Sequence, residues 1–339
     1  MTAIVDMDLI IHAVANKGQK RTLLVTHKST GEEWTVNTRT EWYGHHSKKA
    51  GGELAKLNEG RDSIWLAEEF TYLDIVTPEP IENCLHTAKV YLDRILKLGG
   101  TDKFKLYMGK GECWRVEHST LLGYKQQRRV EKEDRPTVPV VYKQDVMDYY
   151  ARNGKYQAEY VEYYEVDEML VMDCFRRKDR FAIAQEKDAY YCPFLFLDTT
   201  KPELGIQDCN QFGKLWLDGQ GKKEKVRGIG RLWMYQLICS SDSADNYYAN
   251  CFSELTWGEK SSYKLLKDCQ SDKEAFQVML DIYKHLYPLP REVVGWKGDT
   301  ILIDYWYVLQ EVWDMAMMLR FPGDKVDVKD LFTRSGVQY

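Results

Sequence analysis

An α/β fold, a mainly parallel sheet flanked by helices, is what this sequence predicts, and three observations carry the prediction. The chain opens on a short apolar run, "TAIVD", that turns at once into a helix-like segment. Strand-like and helix-like stretches then alternate to about residue 230. From about residue 231 onward the periodic stretches are mainly helical.

Taken in order, the opening strand ends at Asp6, and "DLIIHAVA" continues as helix. Residues 17–62 are polar and punctuated by glycine, with strand pieces at 21–26 and 33–37. "EPIENCLHTAKVYLDRILKLGG" is a helix: Pro80 lies near its first turn, Leu85, Val90, Leu92 and Ile95 supply apolar positions, and Gly99-Gly100 stop it. "KFKLYMG" is a second strand, followed by the basic, partly helical "CWRVEHSTLLGYKQQRRVEKEDRP". A helix around 141–152 leads to a strand at 157–162, then to three crowded acids and a helix ending near 175. "RFAIAQEKD" is a strand ending in Glu186 and Asp188, and "KLWLD" and "KVRGIG" flank a Gly/Lys-rich turn. In the helical last third, Tyr305, Trp306, Trp313, Met315 and Met318 form a core-packing stripe. The tail after Phe321 reads as a peripheral cap.

The chain has 339 residues, 44% hydrophobic and 29% charged, enough for one large or two ordinary globular domains. Its net charge of -5 does not exclude a nucleic-acid partner, because acids and bases cluster in different places. Eight cysteines without close pairs exclude a zinc site and a dense disulfide scaffold, and read as reduced thiols. The start "MTAIVDMDLII" has no signal-peptide pattern and no run spans a membrane, so a cytoplasmic protein is expected. The seven histidines lack H-x-x-x-H spacing, and "GIG" at 228–230 is not followed by G-K-(S/T).

The acids are the informative residues. Asp6 and Asp8 follow "AIV", Glu165, Asp167 and Glu168 precede an apolar helix, Glu186 and Asp188 follow "FAIA", and Asp242 and Asp245 follow "MYQLICSS". One such set alone is most often a helix cap or a dipole partner. Four sets, each where an element leaves the core, are not explained by capping alone. In an open α/β sheet the carboxyl ends of the strands meet in one crevice, so distant acids converge there. Carboxylates that close raise one another's pKa, and a hard divalent cation is the natural compensation. Mg²⁺ or Mn²⁺ suits such an oxygen-rich set, and a pair of ions serves phosphodiester cleavage.

Six stretches follow one another in a recognisable order: "IVDMD", "CWRVEHSTLLGYKQQRR", "YEVDEM", "AQEKD", "SSDSADNY" and "WGEKSSYKLL". Together they resemble the flap endonuclease and 5′→3′ exonuclease superfamily, the PIN-like nucleases, and most closely its bacteriophage 5′→3′ exonuclease branch. The resemblance spans roughly residues 1–270. It implies a PIN-like nuclease domain over 1–235 with a helical arch about 110–137. A helical DNA-binding region would follow over 236–339, with a helix–hairpin–helix element about 242–270.

Carried over by position, the resemblance implies a first metal site of Asp6, Glu165, Asp167 and Asp188. Glu168, Glu186, Asp242 and Asp245 would complete it or form a second. Lys125 and Arg128 would orient the scissile phosphate, and Tyr124 would stack at the strand end. Arg115 and Arg129 would contact nucleic acid, and Gly258, Glu259, Lys260 and Ser261 would hold duplex phosphates beside a bound K⁺. The chain departs from the pattern at Glu168 and Glu186, each a methylene longer than aspartate, and at Ser241 in place of glycine. Many relatives carry an aspartate just after the second strand. Here Gly109, Lys110 and Gly111 stand instead, with Glu112 as the nearest acid.

The implied activity is Mg²⁺- or Mn²⁺-dependent hydrolysis near 5′ ends, flaps or nicks of DNA, or of RNA in RNA–DNA hybrids, by a monomer in phage replication or recombination. Two other readings predict different outcomes. A catalytically silent junction-binding protein would shift DNA without cutting it, and a PIN-type ribonuclease would cut RNA. The basic patches "HHSKK" at 45–49 and "GQGKKEKVR" at 219–227 read first as surface loops and second as DNA contacts.

Overall fold

Buried on both faces, the runs "TAIVD" and "RFAIA" form adjacent central strands of one sheet, as continuous apolar strands do in parallel sheets. The computed structural model describes residues 1–45, 50–128 and 141–339. The six-stranded sheet runs, edge to edge, Ile206–Asp208, Leu195–Asp198, Arg180–Ala184, Thr2–Asp6, Phe104–Cys113 and Ala158–Tyr163. All neighbours pair in parallel except the first two, which are antiparallel. The α/β class expected from the sequence is therefore the observed one: a mostly parallel sheet flanked by helices.

The described residues divide into two compact units, and the division does not fall at residue 235. One unit holds Met1–Leu9, 91–128 and Tyr150–Tyr339, and the other holds Ile10–Val90 with 141–149. The second unit is built on an antiparallel sheet of Glu33–Val36, Gln19–His27 and Phe70–Pro78. Trp34, Trp42, Trp65 and Phe70 fill its core, with His27 stacked on Trp65 at 4.4 Å between ring centroids. Local pattern found the first two strands but not Phe70–Pro78, whose partner lies across some forty residues of polar chain.

In the first unit the core runs from the sheet (Ile4, Ala182, Phe196) through Leu170 and Val171 to the C-terminal helices. Of the expected stripe, Trp313, Met315 and Met318 are buried and Tyr305 and Trp306 half-buried, while Val308, Leu309 and Val312 of helix Tyr305–Ala316 are buried as well. The tail is more than a peripheral cap: Phe332 is fully buried and stacks on Phe276 at 4.5 Å. Residues 242–270 hold a two-stranded turn, Ser241–Asp242 with Tyr247–Tyr248, and one helix, Glu259–Leu266. The flanking helices are Arg231–Ile238 and Asp272–Leu286.

The segment after the Phe104–Cys113 strand is pinned by the C-terminal region. Glu311 accepts the backbone N–H groups of Thr120 (2.8 Å) and Leu121 (2.6 Å), and the Trp296 indole donates to the Ser119 carbonyl at 2.8 Å. These bonds set the position of Tyr124 and Lys125, which come next. All eight cysteines are free thiols. No helix among the described residues is long and apolar enough to cross a membrane.

Candidate metal centre

Because the central strands are parallel, their carboxyl ends open on one edge of the sheet. Asp6 is the last residue of the first strand, Glu165 and Asp167 follow Ala158–Tyr163, and Glu186 and Asp188 follow Arg180–Ala184. Asp242 and Asp245 arrive from the turn after helix Arg231–Ile238. Carboxylate oxygens of Asp188, Asp242 and Asp245 lie within 4.8 Å of one another.

The electrostatics tie the remaining acids to the same place. Burial pushes the Asp6 carboxyl up to about 7, with Asp8 and then Glu186 adding to it. Burial also lifts Asp167 well above the usual carboxylate range, helped by Asp6, Glu165, Glu186 and Asp188. Asp188 rises to about 7, chiefly through burial, with Asp245, Asp242 and Glu186 acting against the opposing Lys187. Asp245 is raised by burial, with Lys125 and Arg128 opposing and Glu165 and Asp242 assisting. Seven of the eight acids expected at a metal are thus neighbours: Asp6, Glu165, Asp167, Glu186, Asp188, Asp242 and Asp245.

Asp188 provides the test of fit. The residue is 9% exposed, and its Oδ1 is buried with no hydrogen-bond partner. An unpaired buried acceptor is costly, and one facing other carboxylates is more so. A hard divalent cation satisfies it, so the donor set fits Mg²⁺ or Mn²⁺.

Two cations lie against the acids. Lys125 pairs with Glu165 and stands 3.6 Å from Asp245, and Arg128 is also 3.6 Å from Asp245. Lys125 has φ of 54°, the left-handed region that non-glycine residues rarely adopt, and its N–H donates to the Asp245 carbonyl at 3.1 Å. Strain of this kind persists where the surrounding structure holds it, and the Glu311 and Trp296 bonds pin the segment just upstream. Lys187, between the acids of "EKD", pairs with Asp242. Sequence reading missed this pairing, although a lysine flanked by Glu186 and Asp188 was the available signal.

Three of the expected site residues are buried and engaged within the core. Glu168 is wholly buried, and its carboxylate shares the Arg115 guanidinium with that of Glu165. Its carboxylate meets Arg115 at 2.9 Å and the Trp114 indole N–H at 3.1 Å, and accepts the Glu165 N–H at 3.1 Å, a capping-box bond at the start of helix Val166–Cys174. Arg115 is fully buried, so it does not reach a nucleic acid; it bridges Glu165 and Glu168 and donates to the Met317 carbonyl. Burial works against its charge, but Glu168, Tyr124 and Glu165 outweigh it. Tyr124 is buried, and its hydroxyl donates to Glu165 at 2.9 Å, leaving no ring face for a base. Burial alone would raise Glu165, yet Arg115 and Lys125 hold it below the usual range.

Gly258 caps helix Glu259–Leu266 without a side-chain bond, and Lys260 pairs with Glu224 at 2.9 Å. Ser261 donates its N–H to the Gly258 carbonyl. Arg129, the arch beyond residue 128, and residues 46–49 of the histidine–lysine patch lie outside the described residues. The second basic patch comes close to the acids: Lys187, Lys225, Arg227, Gln236 and Asp242 line one cavity of about 340 Å³. Lys110 pairs with Glu162, and Glu112 is exposed at the far end of its strand.

No protein-family model matches the chain, and no curated protein matches it in sequence. Two solved structures from bacteriophage T5 align with it: the D15 protein co-crystallized with metal ions, and the D15 flap endonuclease as a pseudo-enzyme–product complex with DNA and metal ions. Each has a TM-score of 0.40 and 12% identity over 74% of this chain, covering 85% of the first and 83% of the second.

Proposed function

We propose that this chain is a divalent-metal-dependent nuclease that hydrolyses phosphodiester bonds near 5′ ends and 5′ flaps of DNA. The observation that carries the reading is the convergence of buried carboxylates from three strand ends and one turn around the unpaired Asp188 oxygen. Asp6, Asp167, Asp188, Asp242 and Asp245 would hold Mg²⁺ or Mn²⁺, with Glu165 and Glu186 at the margin. When bound, the ions acidify water and neutralise phosphate charge. Lys125 and Arg128 neutralise further charge developing on the scissile phosphate. The N-terminal end of helix Glu259–Leu266 supplies N–H groups suited to duplex phosphates.

The test is digestion of matched 5′-labelled DNA and RNA duplexes, flaps and gapped circles with Mg²⁺ or Mn²⁺. Release of short products from DNA 5′ ends or flaps supports the reading. A mobility shift without cutting would make the chain a silent junction binder, and cutting of RNA alone would make it a ribonuclease. Lys125→Met is expected to lower the cleavage rate about a hundredfold or more while leaving Mn²⁺ affinity near wild type, as loss of a charge-stabilising group does. Single-turnover cleavage beside calorimetric Mn²⁺ titration separates the two effects.

The raised carboxyls fix a pH dependence. Asp6 and Asp188 sit at about 7 when folded, against an ordinary value of 3.8. Between those values the metal-free folded chain holds protons that the unfolded chain has released. Its stability therefore falls as pH rises through that window and stays low above it. Melting temperature of the metal-free protein is expected to drop from about pH 5 to about pH 8, and added Mg²⁺ to restore it most at the upper end, where no proton competes. A flat profile with no metal response would contradict the site.

A further inference from the structure

Asp8 makes a contact that the metal-centre residues above do not use. It begins the helix leaving the first strand, and Gly109 lies in the neighbouring parallel strand Phe104–Cys113. The Gly109 N–H donates to both Asp8 carboxylate oxygens, each at 3.2 Å, across 101 residues of chain. A Cβ built on Gly109 would meet Asp8 Oδ2 at 2.7 Å and Val166 Cγ2 at 3.4 Å. The Asp8 carboxylate thus takes the space that a side chain at 109 would need. That space borders Val166, the residue between Glu165 and Asp167.

On its other side the Asp8 N–H donates to Asp6 Oδ1 at 2.9 Å, so the two carboxylates are held at adjoining strand ends. An aspartate at a helix start ordinarily serves its own helix N–H groups or faces water. Asp8 is instead tied to a neighbouring strand, and it is the acid that acts most strongly on Asp6. The buried, unpartnered Asp188 oxygen is a second observation pointing to a cation, and Asp188 and Asp6 both act on Asp167.

We propose that Asp8 is a carboxylate of the metal centre, holding a divalent cation directly or through one of its waters, and that Gly109 is the cradle that keeps it there. The inference rests on the metal-centre reading and adds to it an acid presented at the Phe104–Cys113 strand. It also assigns a function to Gly109: a side chain at that position would displace the acid.

The experiment is calorimetric titration of the full chain with Mn²⁺ alone, without nucleic acid. Wild type is compared with Asp167→Asn, Asp8→Asn, Gly109→Ala and the double variant Asp8→Ala/Gly109→Asp, each checked for folding by its metal-free melting temperature. Asp8→Asn and Gly109→Ala are expected to weaken Mn²⁺ binding about tenfold or more. The double variant, which grows the carboxylate from the other strand, is expected to regain affinity. If Gly109→Ala does not fold, Asp8→Asn decides, because its amide oxygen still accepts the Gly109 N–H. Weakening by Asp167→Asn with wild-type binding by Asp8→Asn would overturn the role of Asp8 and leave the metal centre standing. No Mn²⁺ uptake by wild type would overturn both. A folded double variant that regains nothing would overturn the placement at Gly109.

Discussion

Asp167→Asn is expected to reduce metal-dependent cleavage by at least about a thousandfold, roughly 4 kcal/mol of barrier, and at the same time to stabilise the metal-free protein. The two effects have one cause. Asp167 is surrounded by Asp6, Glu165, Glu186 and Asp188, which together with burial hold its carboxyl well above the usual range. Ionising it without a cation is unfavourable, and asparagine removes that cost while keeping the shape. The gain in melting temperature should be larger at about pH 8 than at about pH 5, since a carboxyl raised in the fold costs more stability as pH rises above its ordinary value. Cleavage assays and calorimetric melting of one preparation read both effects. Unchanged cleavage would place the reactive centre elsewhere. Lost cleavage with lowered stability would mean that Asp167 is a structural acid.

Glu168→Ala is expected to do the reverse, costing about 3–5 kcal/mol of stability because it takes the nearer of two carboxylates from a buried guanidinium. Arg115 is fully buried and meets Glu168 at 2.9 Å, while the Trp114 indole and the Glu165 N–H also lose their acceptor. Urea denaturation measures the loss. Glu168→Gln keeps the neutral hydrogen bonds, and a folded sample of it should bind Mn²⁺ within a few-fold of wild type, since this carboxylate is already engaged by Arg115 and the Trp114 indole in the core. If Glu168→Gln were as stable as wild type but bound Mn²⁺ tenfold more weakly, Glu168 would be a metal ligand, as its place in the acidic motif implied.

Asp167 and Glu168 are adjacent acids in one motif, and the sequence distinguishes them only by the extra methylene of Glu168. A helix start turns consecutive residues by about 100°, so Asp167 comes beside Asp6, Glu186 and Asp188 while Glu168 meets Arg115. Which is which depends on Arg115, a residue about fifty positions earlier that the sequence placed on DNA. The same applies to Tyr124: its aromatic character was legible, but its burial against Glu165 depends on Glu311 and Trp296 anchoring the segment from the far end of the chain.

Much was legible because it is written in local pattern. Apolar runs ending in acids marked the parallel strands and their carboxyl ends, the 3.6-residue period marked helices Ile81–Leu98 and Tyr305–Ala316, and cysteine spacing excluded a zinc or disulfide framework. The sequence by itself therefore determined the α/β class and the acids available to the crevice. The tertiary structure decided what adjacency along the chain cannot express: that Glu168 and Arg115 form a buried pair, that residues 10–90 make a second compact unit, and that Asp8 rests on Gly109. Partners separated by tens to hundreds of residues set burial and charge at each position, and those determine whether a carboxylate is left to hold a cation or is already neutralised within the core.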